Sequence, residues 1–241
     1  MADGRVLAIV PAKAESQRLP GKNLRPFAGK PLVAHTIENA VAASRVTAVY
    51  VSTDSEEIAA VARQYGAEVP FLRPPELAEP HVHATQPMVD LIERSGALER
   101  FDYVMMLLPT CPLRTSAQIE AVAALSTERQ TNVLSVTEMR RTPYHFRLLD
   151  ENLALSPLIA DTPRNFQHGD AKDVYALNGA CYCAPIGKFV EQRSYHYGSP
   201  LGFAMDEISG LDIDTLEQFQ LAELFYRFRQ DGDERSAGAA L

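Results

Sequence analysis

Short apolar runs rich in β-branched residues alternate with helical patterns through the first half of the chain, and this rhythm restricts the fold more than any other feature. Residues 6–10 read as a buried strand, 32–43 as a helix entered through Pro31, 48–53 as a second strand and 55–65 as a helix closed by Gly66. Residues 103–108 predict a third long strand, 116–125 a helix and 133–136 a further strand. Such a β-α-β-α order predicts an open, mostly parallel α/β sheet with helices on both faces. Ligands bind these sheets beyond the carboxyl ends of the strands. Chemistry is therefore expected in the loops after Val10, Thr53 and Leu108.

The rhythm breaks over about residues 138–172, where short apolar pieces sit among Pro143, Pro157 and Pro163. Too few apolar residues are present for a separate core, so the chain reads as one domain, 1–241, carrying an inserted arm. Order resumes at 174–183 and 201–205 and ends in a helix over about 215–229, with Leu216, Phe219, Leu224, Phe225 and Phe228 expected on one face. The tail, 231–241, is polar and small-residue rich and is expected to fray.

Composition excludes several classes. A net charge of −8 over 241 residues is the wrong sign for a non-specific nucleic-acid binder. No apolar run approaches the length of a membrane span, and the first one stops at Pro11, so a cytoplasmic protein is expected. Cys111, Cys181 and Cys183 lack zinc-hook spacing and read as buried, reduced thiols. His81 and His83 alternate, but no third metal ligand stands near them.

Against this acidic background, the segment 11–30, PAKAESQRLPGKNLRPFAGK, holds Lys13, Arg18, Lys22, Arg25 and Lys30 with Glu15 as its one acid. A basic loop directly after the first strand of an α/β sheet is what a polyphosphate requires. The loop is no Walker A motif, since Gly21-Lys22 is followed by Asn23, and no G-x-G-x-x-G fingerprint occurs. Near the other end, Asp212-Ile213-Asp214 precedes the last helix. In an extended segment residues two apart share a face, so both carboxylates could enter one site and hold a hard cation such as Mg²⁺ together with substrate phosphates. The competing reading is a helix cap built from Asp214 and Glu217. Asn178-Gly179, likewise, reads by itself as a hairpin turn.

Residues 9–36, IVPAKAESQRLPGKNLRPFAGKPLVAHT, resemble the N-terminal signature of the CMP-acylneuraminate synthetases, cytidylyltransferases for sialic-acid-like sugars. Ala12, Ser16, Leu19, Pro20, Lys22 and Asn23 match, while Lys13 stands where that family usually has Arg. The resemblance continues in order through VSTD (51–54), Arg73-Pro74, Pro109-Thr110 with Pro112-Leu113-Arg114, Asn178-Gly179-Ala180 and DIDT (212–215). It implies a nucleotide-sugar-transferase-type, Rossmann-like fold and transfer of CMP from CTP to a 2-keto-3-deoxy sugar acid, with release of pyrophosphate. It also implies Mg²⁺ as cofactor and a homodimer in which the arm packs across the partner. Residue by residue, it assigns the nucleotide to Ala12, Lys13, Lys22, Asn23 and Arg73, and the acceptor to Thr110, Arg164 and Asn178. Metal falls to Asp212 and Asp214, and catalysis to Lys13, Lys22, Asp212 and Asp214. Departures gather on the acceptor side: Leu108 for the family's Gln, Cys111 for Ser, Ala176 where Arg is frequent, and a longer 164–173 segment. Two other readings stay open, a 3-deoxy-manno-octulosonate cytidylyltransferase and a nucleotide-binding protein with a degenerate site.

Overall fold

The computed structural model describes residues 4–16, 18–163, 165–167 and 172–238. In chain order the elements begin β1 (Val6–Pro11), β2 (Pro26–Phe27), β3 (Lys30–Pro31), α1 (Leu32–Ala42), β4 (Val46–Ser52) and α2 (Glu56–Gln64). There follow α3 (Thr85–Ser95), α4 (Ala97–Arg100), β5 (Tyr103–Met106), α5 (Ser116–Arg129) and β6 (Val133–Glu138). The last are β7 (Arg147–Leu149), β8 (Leu155–Pro157), β9 (Tyr175–Pro185), α6 (Ile186–Gln192), β10 (Leu201–Met205) and α7 (Leu216–Gly238).

Six strands form the central sheet in the order β10-β6-β9-β5-β1-β4. All neighbours pair in parallel except β9, which runs antiparallel to both β5 and β6. The expected mostly parallel α/β architecture is thus what the chain forms. Both faces of β1 are buried, as a sheet sandwiched between helices demands. Val6, Ala8 and Val10 pack with Val33 and Ile37 of α1 and Ile119 of α5, whereas Leu7 and Ile9 pack with Met88 and Leu91 of α3.

Local chemistry fixes the helix starts. The Ser55 hydroxyl accepts the Ile58 N–H at 3.3 Å to open α2, and Thr115 and Gln118 form a reciprocal capping box on α5. Gly66 closes α2 at φ +94°. Helices α3, α4 and α6 carry no expectation above, because Pro87 and short length blur their periodicity.

Asn178-Gly179 makes no hairpin turn. β9 runs straight through it, and the register against β6 slips between Leu134, opposite Tyr182, and Val136, opposite Leu177. The extra residues form a bulge in which Gly179 takes φ +70°. A second difference lies in α7. Phe219 and Ala222 are buried, but Leu224 is 63 % and Phe228 75 % exposed. At roughly 100° per residue, Phe219 and Phe228 fall on opposite sides of a helix, so the expected single face does not exist. The helix also runs through Gly238, past the end expected near Arg229.

Within 138–172, β7 and β8 pair as a hairpin with Leu149 opposite Leu155. Among the described residues, no helix is long and apolar enough to cross a membrane. The three cysteines are buried and unpaired, and burial pushes Cys111 and Cys183 up to about 12.

Candidate active site

Two clefts open at the carboxyl end of the sheet. The first, of about 560 Å³, is lined by Lys13, Ser16, Gly21, Asp54 and Arg73 among others. Its floor is the loop after β1, which backbone bonds hold open. Ala12 N–H donates to the Ser52 carbonyl at 2.9 Å, and Ala14 N–H donates to Asp54 Oδ1 at 2.8 Å. Asn23 Nδ2 donates to the Lys13 carbonyl at 2.8 Å. Gly21, at φ +65°, gives the turn that brings Lys22 inward.

The candidate nucleotide residues therefore divide by task. Lys13 and Arg73 line the cleft. Ala12 is wholly buried and offers its backbone, while Asn23 shapes the loop through Lys13. Arg73 is anchored, with Nη2 donating to the Ser52 carbonyl at 2.6 Å and Nε to the Ser52 hydroxyl at 3.2 Å. Burial lowers its pKa, and the nearby Asp54 opposes that fall.

The acidic pair stands beside this loop. The Ile213 N–H donates to the Thr110 carbonyl at 2.8 Å, which ties the DID segment to the loop after β5. Lys22 Nζ donates to the Ile213 carbonyl and lies 3.6 Å from Asp214 Oδ1, while the Arg18 guanidinium pairs with Asp214 Oδ2. Burial lowers the Lys22 pKa, and Asp214 and Asp212 hold it up. Asp212 differs from Asp214: its Oδ1 is buried without a hydrogen-bond partner among the described residues. Burial raises its pKa, the Thr110 side chain lowers it and Asp214 raises it further.

The helix cap sits one residue on from where the sequence suggested. Thr215 and Gln218 make it: the Gln218 N–H donates to Thr215 Oγ1 at 3.3 Å, and Gln218 Oε1 accepts the N–H groups of Asp214 at 2.8 Å and Thr215 at 2.9 Å. Asp214 is left free of capping. Two adjacent carboxylates, one with an orphaned buried oxygen, suit a hard divalent cation that takes its remaining ligands from substrate oxygens and water. The described residues hold no group of three or more His, Cys, Asp or Glu that could bind a metal without substrate.

The second cleft, of about 450 Å³, is lined by Thr137, Ala176, Asn178, Glu207, Asp212 and Gln218 among others. Asn178 looks inward: Oδ1 accepts from Ser135 Oγ at 2.5 Å and Ala180 N at 3.0 Å, and Nδ2 donates to Thr137 Oγ1 at 3.0 Å. Gly210 lies against this knot, where an added Cβ would come within 2.5 Å of Thr137 Oγ1. Thr110 reaches the cleft through Asp212, and Leu108 packs against Gly179. Arg164 lies outside the described residues. Gln218 is the site residue that sequence reasoning passed over. The T-x-x-Q spacing after Asp214 was its available signal.

A profile of the family described as "Cytidylyltransferase" matches residues 7–95. The chain is 36 % identical over 231 residues to a CMP-N,N'-diacetyllegionaminic acid synthase of Legionella pneumophila, covering 94 % of this chain and 98 % of that protein. It is 33 % identical to an N-acylneuraminate cytidylyltransferase of Escherichia coli over 90 % of this chain, which spans only 51 % of that longer protein. In structure it is similar to a CMP:2-keto-3-deoxy-manno-octonic acid synthetase complexed with CTP, at a TM-score of 0.69 and 16 % identity, covering 93 % of this chain and 99 % of the other. At that identity the likeness concerns the fold.

Proposed function

The chain belongs to the cytidylyltransferases of the CMP-acylneuraminate synthetase family, and from that membership we infer that it activates a sialic-acid-like 2-keto-3-deoxy sugar acid with CTP. The anomeric hydroxyl oxygen of the acid bonds to the α-phosphorus, the bond from that phosphorus to the β-phosphate bridging oxygen breaks, and pyrophosphate leaves. The hydroxyl proton passes to solvent.

The observation that carries this reading is the junction at Lys22, where the basic loop after β1 meets the acidic pair. Charge for a triphosphate and carboxylates for its counter-ion are thereby held side by side between two clefts. Transfer of this kind needs positioning and charge neutralisation more than covalent help. Lys13 and Lys22 neutralise phosphate oxygens, Arg73 walls the nucleoside part, and Asn23 holds the loop in register. Asp212 and Asp214 are the residues that would hold Mg²⁺, which when bound supplies Lewis-acid neutralisation of the phosphates. Arg18 and Lys22 balance Asp214.

The Legionella relative's name and the apolar Leu108 and Ala176 on the acceptor side support a di-N-acetylated or deoxy acid over N-acetylneuraminate. Comparing kcat/KM across those acids and 3-deoxy-manno-octulosonate tests this. N-acetylneuraminate as the best acceptor would contradict it.

The assembly in this proposal is a homodimer in the cytoplasm, the compartment that holds CTP. Leu149 and Leu155, paired across the arm hairpin, are 62 % and 68 % exposed, and a twofold partner is the commonest way to cover such a surface. Sedimentation of the wild type at micromolar concentration should show a dimer, and an L149E/L155E variant a monomer. A monomeric wild type would contradict this assembly.

A further inference from the structure

We propose that Gln218 is an acceptor-binding residue, its side-chain amide donating to the carboxylate of the sugar acid. The inference rests on the cytidylyltransferase reading above.

The orientation of the amide follows from its partners. Gln218 Oε1 accepts two backbone N–H groups, those of Asp214 and Thr215. Only the oxygen of an amide accepts, so the nitrogen is turned the other way. Its two N–H groups have no partner among the described residues, and the side chain lines the second cleft. The amide is therefore a donor whose direction is set by the helix cap, fixed before any ligand arrives.

The charged groups on that cleft are the wrong sign for an anion. Glu207 and Asp212 line it, and no described Lys or Arg does. Glu207 is paired with Arg140 at 3.1 Å, but Asp212 has its orphaned oxygen. Asn178, which the family resemblance assigns to the acceptor, has its amide committed to Ser135, Ala180 and Thr137. Among the lining side chains, Gln218 is the one with a free, oriented pair of N–H donors. In a 2-keto-3-deoxy acid the carboxylate is attached to the same carbon as the reacting hydroxyl. An acceptor whose hydroxyl faces the acidic pair thus carries its carboxylate alongside, and Gln218 lies in the first turn of α7, the helix that starts two residues after Asp214.

The decisive variant keeps the cap and changes the donor. In Q218E one carboxylate oxygen still accepts the N–H groups of Asp214 and Thr215, and a negative charge at a helix N-terminus is favourable, so the fold is retained. The other oxygen repels the acceptor. Calorimetric titration of the sugar acid into the protein holding CMP should show acceptor affinity reduced by at least about 10-fold, a loss suited to replacing a hydrogen bond by a like charge. Affinity for CTP alone should change by less than about 2-fold and Tm should hold or rise. Q218M, which removes the donor without adding charge, should weaken acceptor binding by about 5-fold. Unchanged acceptor affinity in Q218E overturns the assignment, as does equal weakening of CTP and acceptor. Because binding is read without turnover, these outcomes are separate from failure of the wild type to transfer CMP, which would overturn the catalytic reading itself.

Discussion

The two clefts are built on opposite principles. The nucleotide cleft is a backbone construction: the loop after β1 is pinned through Ala12, Ala14 and Lys13 to Ser52, Asp54 and Asn23, and cations project from a fixed frame. The acceptor cleft is a side-chain construction, in which Asn178, Ser135, Thr137 and the close approach of Gly210 set the position of the loop leading to Asp212. The first can accept side-chain changes away from Asp54 and Asn23 while keeping its phosphate geometry. The second alters whenever one of its members is changed. The departures at Leu108, Cys111 and Ala176 fall on this second side.

The sharpest way to break this contrast is at Asp212, where the clefts meet. Asp212→Asn should reduce turnover by at least about 100-fold, as expected for loss of a main electrostatic stabiliser. It should not cost stability. The folded Asp212 pKa lies above its unfolded value, so protonation favours the fold: that contribution is complete below about pH 4 and is lost as pH rises through the folded value. At pH 7 without divalent cations, the Asn variant should therefore melt at or above the wild-type temperature, and the gap should close below about pH 4. Adding Mg²⁺ with CTP should raise Tm in the wild type more than in the variant. Normal turnover by a folded variant would end the metal assignment.

A smaller effect separates the clefts from the nucleotide side. Asp54→Ala removes the acceptor of the Ala14 N–H, a charge-assisted bond worth about 1.5–3 kcal/mol. Affinity for CTP should fall by about 10-fold while acceptor KM, measured at saturating CTP, stays within about 2-fold. Equal losses in both would show that the clefts are not independent.

Gly210→Ala tests the acceptor side. Its Cβ would meet Thr137 Oγ1 at 2.5 Å and Asn178 Nδ2 at 2.7 Å, so the loop before Asp212 must shift. Overpacking of this kind costs about 1–3 kcal/mol. Thermal melts should show that loss, and kcat should drop several-fold with CTP affinity retained. Weakened CTP binding here would again contradict separate clefts.

The parts legible in the sequence were those with one-dimensional signals. Continuous apolar runs announced β1, β4 and β5, and the basic segment stood out because its charge opposed that of the whole chain. What stayed hidden depended on long-range pairing. A bulge at Asn178-Gly179 is chemically identical to a hairpin turn until β6 is seen to run past it. The α7 face was misjudged because its apolar residues make two stripes: Phe219 and Ala222 are buried and Phe225 packs against them, whereas Leu224 and Phe228 are exposed. The cap fell to Thr215 and Gln218 instead of Asp214 and Glu217, because both frames fit the same spacing rule and Asp214 is drawn away by Arg18 and Lys22.

The central claim is that the Lys22–Asp214 junction serves transfer of CMP to a sugar acid. Pyrophosphate release from CTP, followed with Mg²⁺ over a panel of sialic-acid-like acceptors, tests it most directly. The account predicts release that requires both CTP and a 2-keto-3-deoxy acid, in amounts equal to the CMP-sugar formed. Absence of release with every acid in the panel, by a protein that binds CTP, would contradict it.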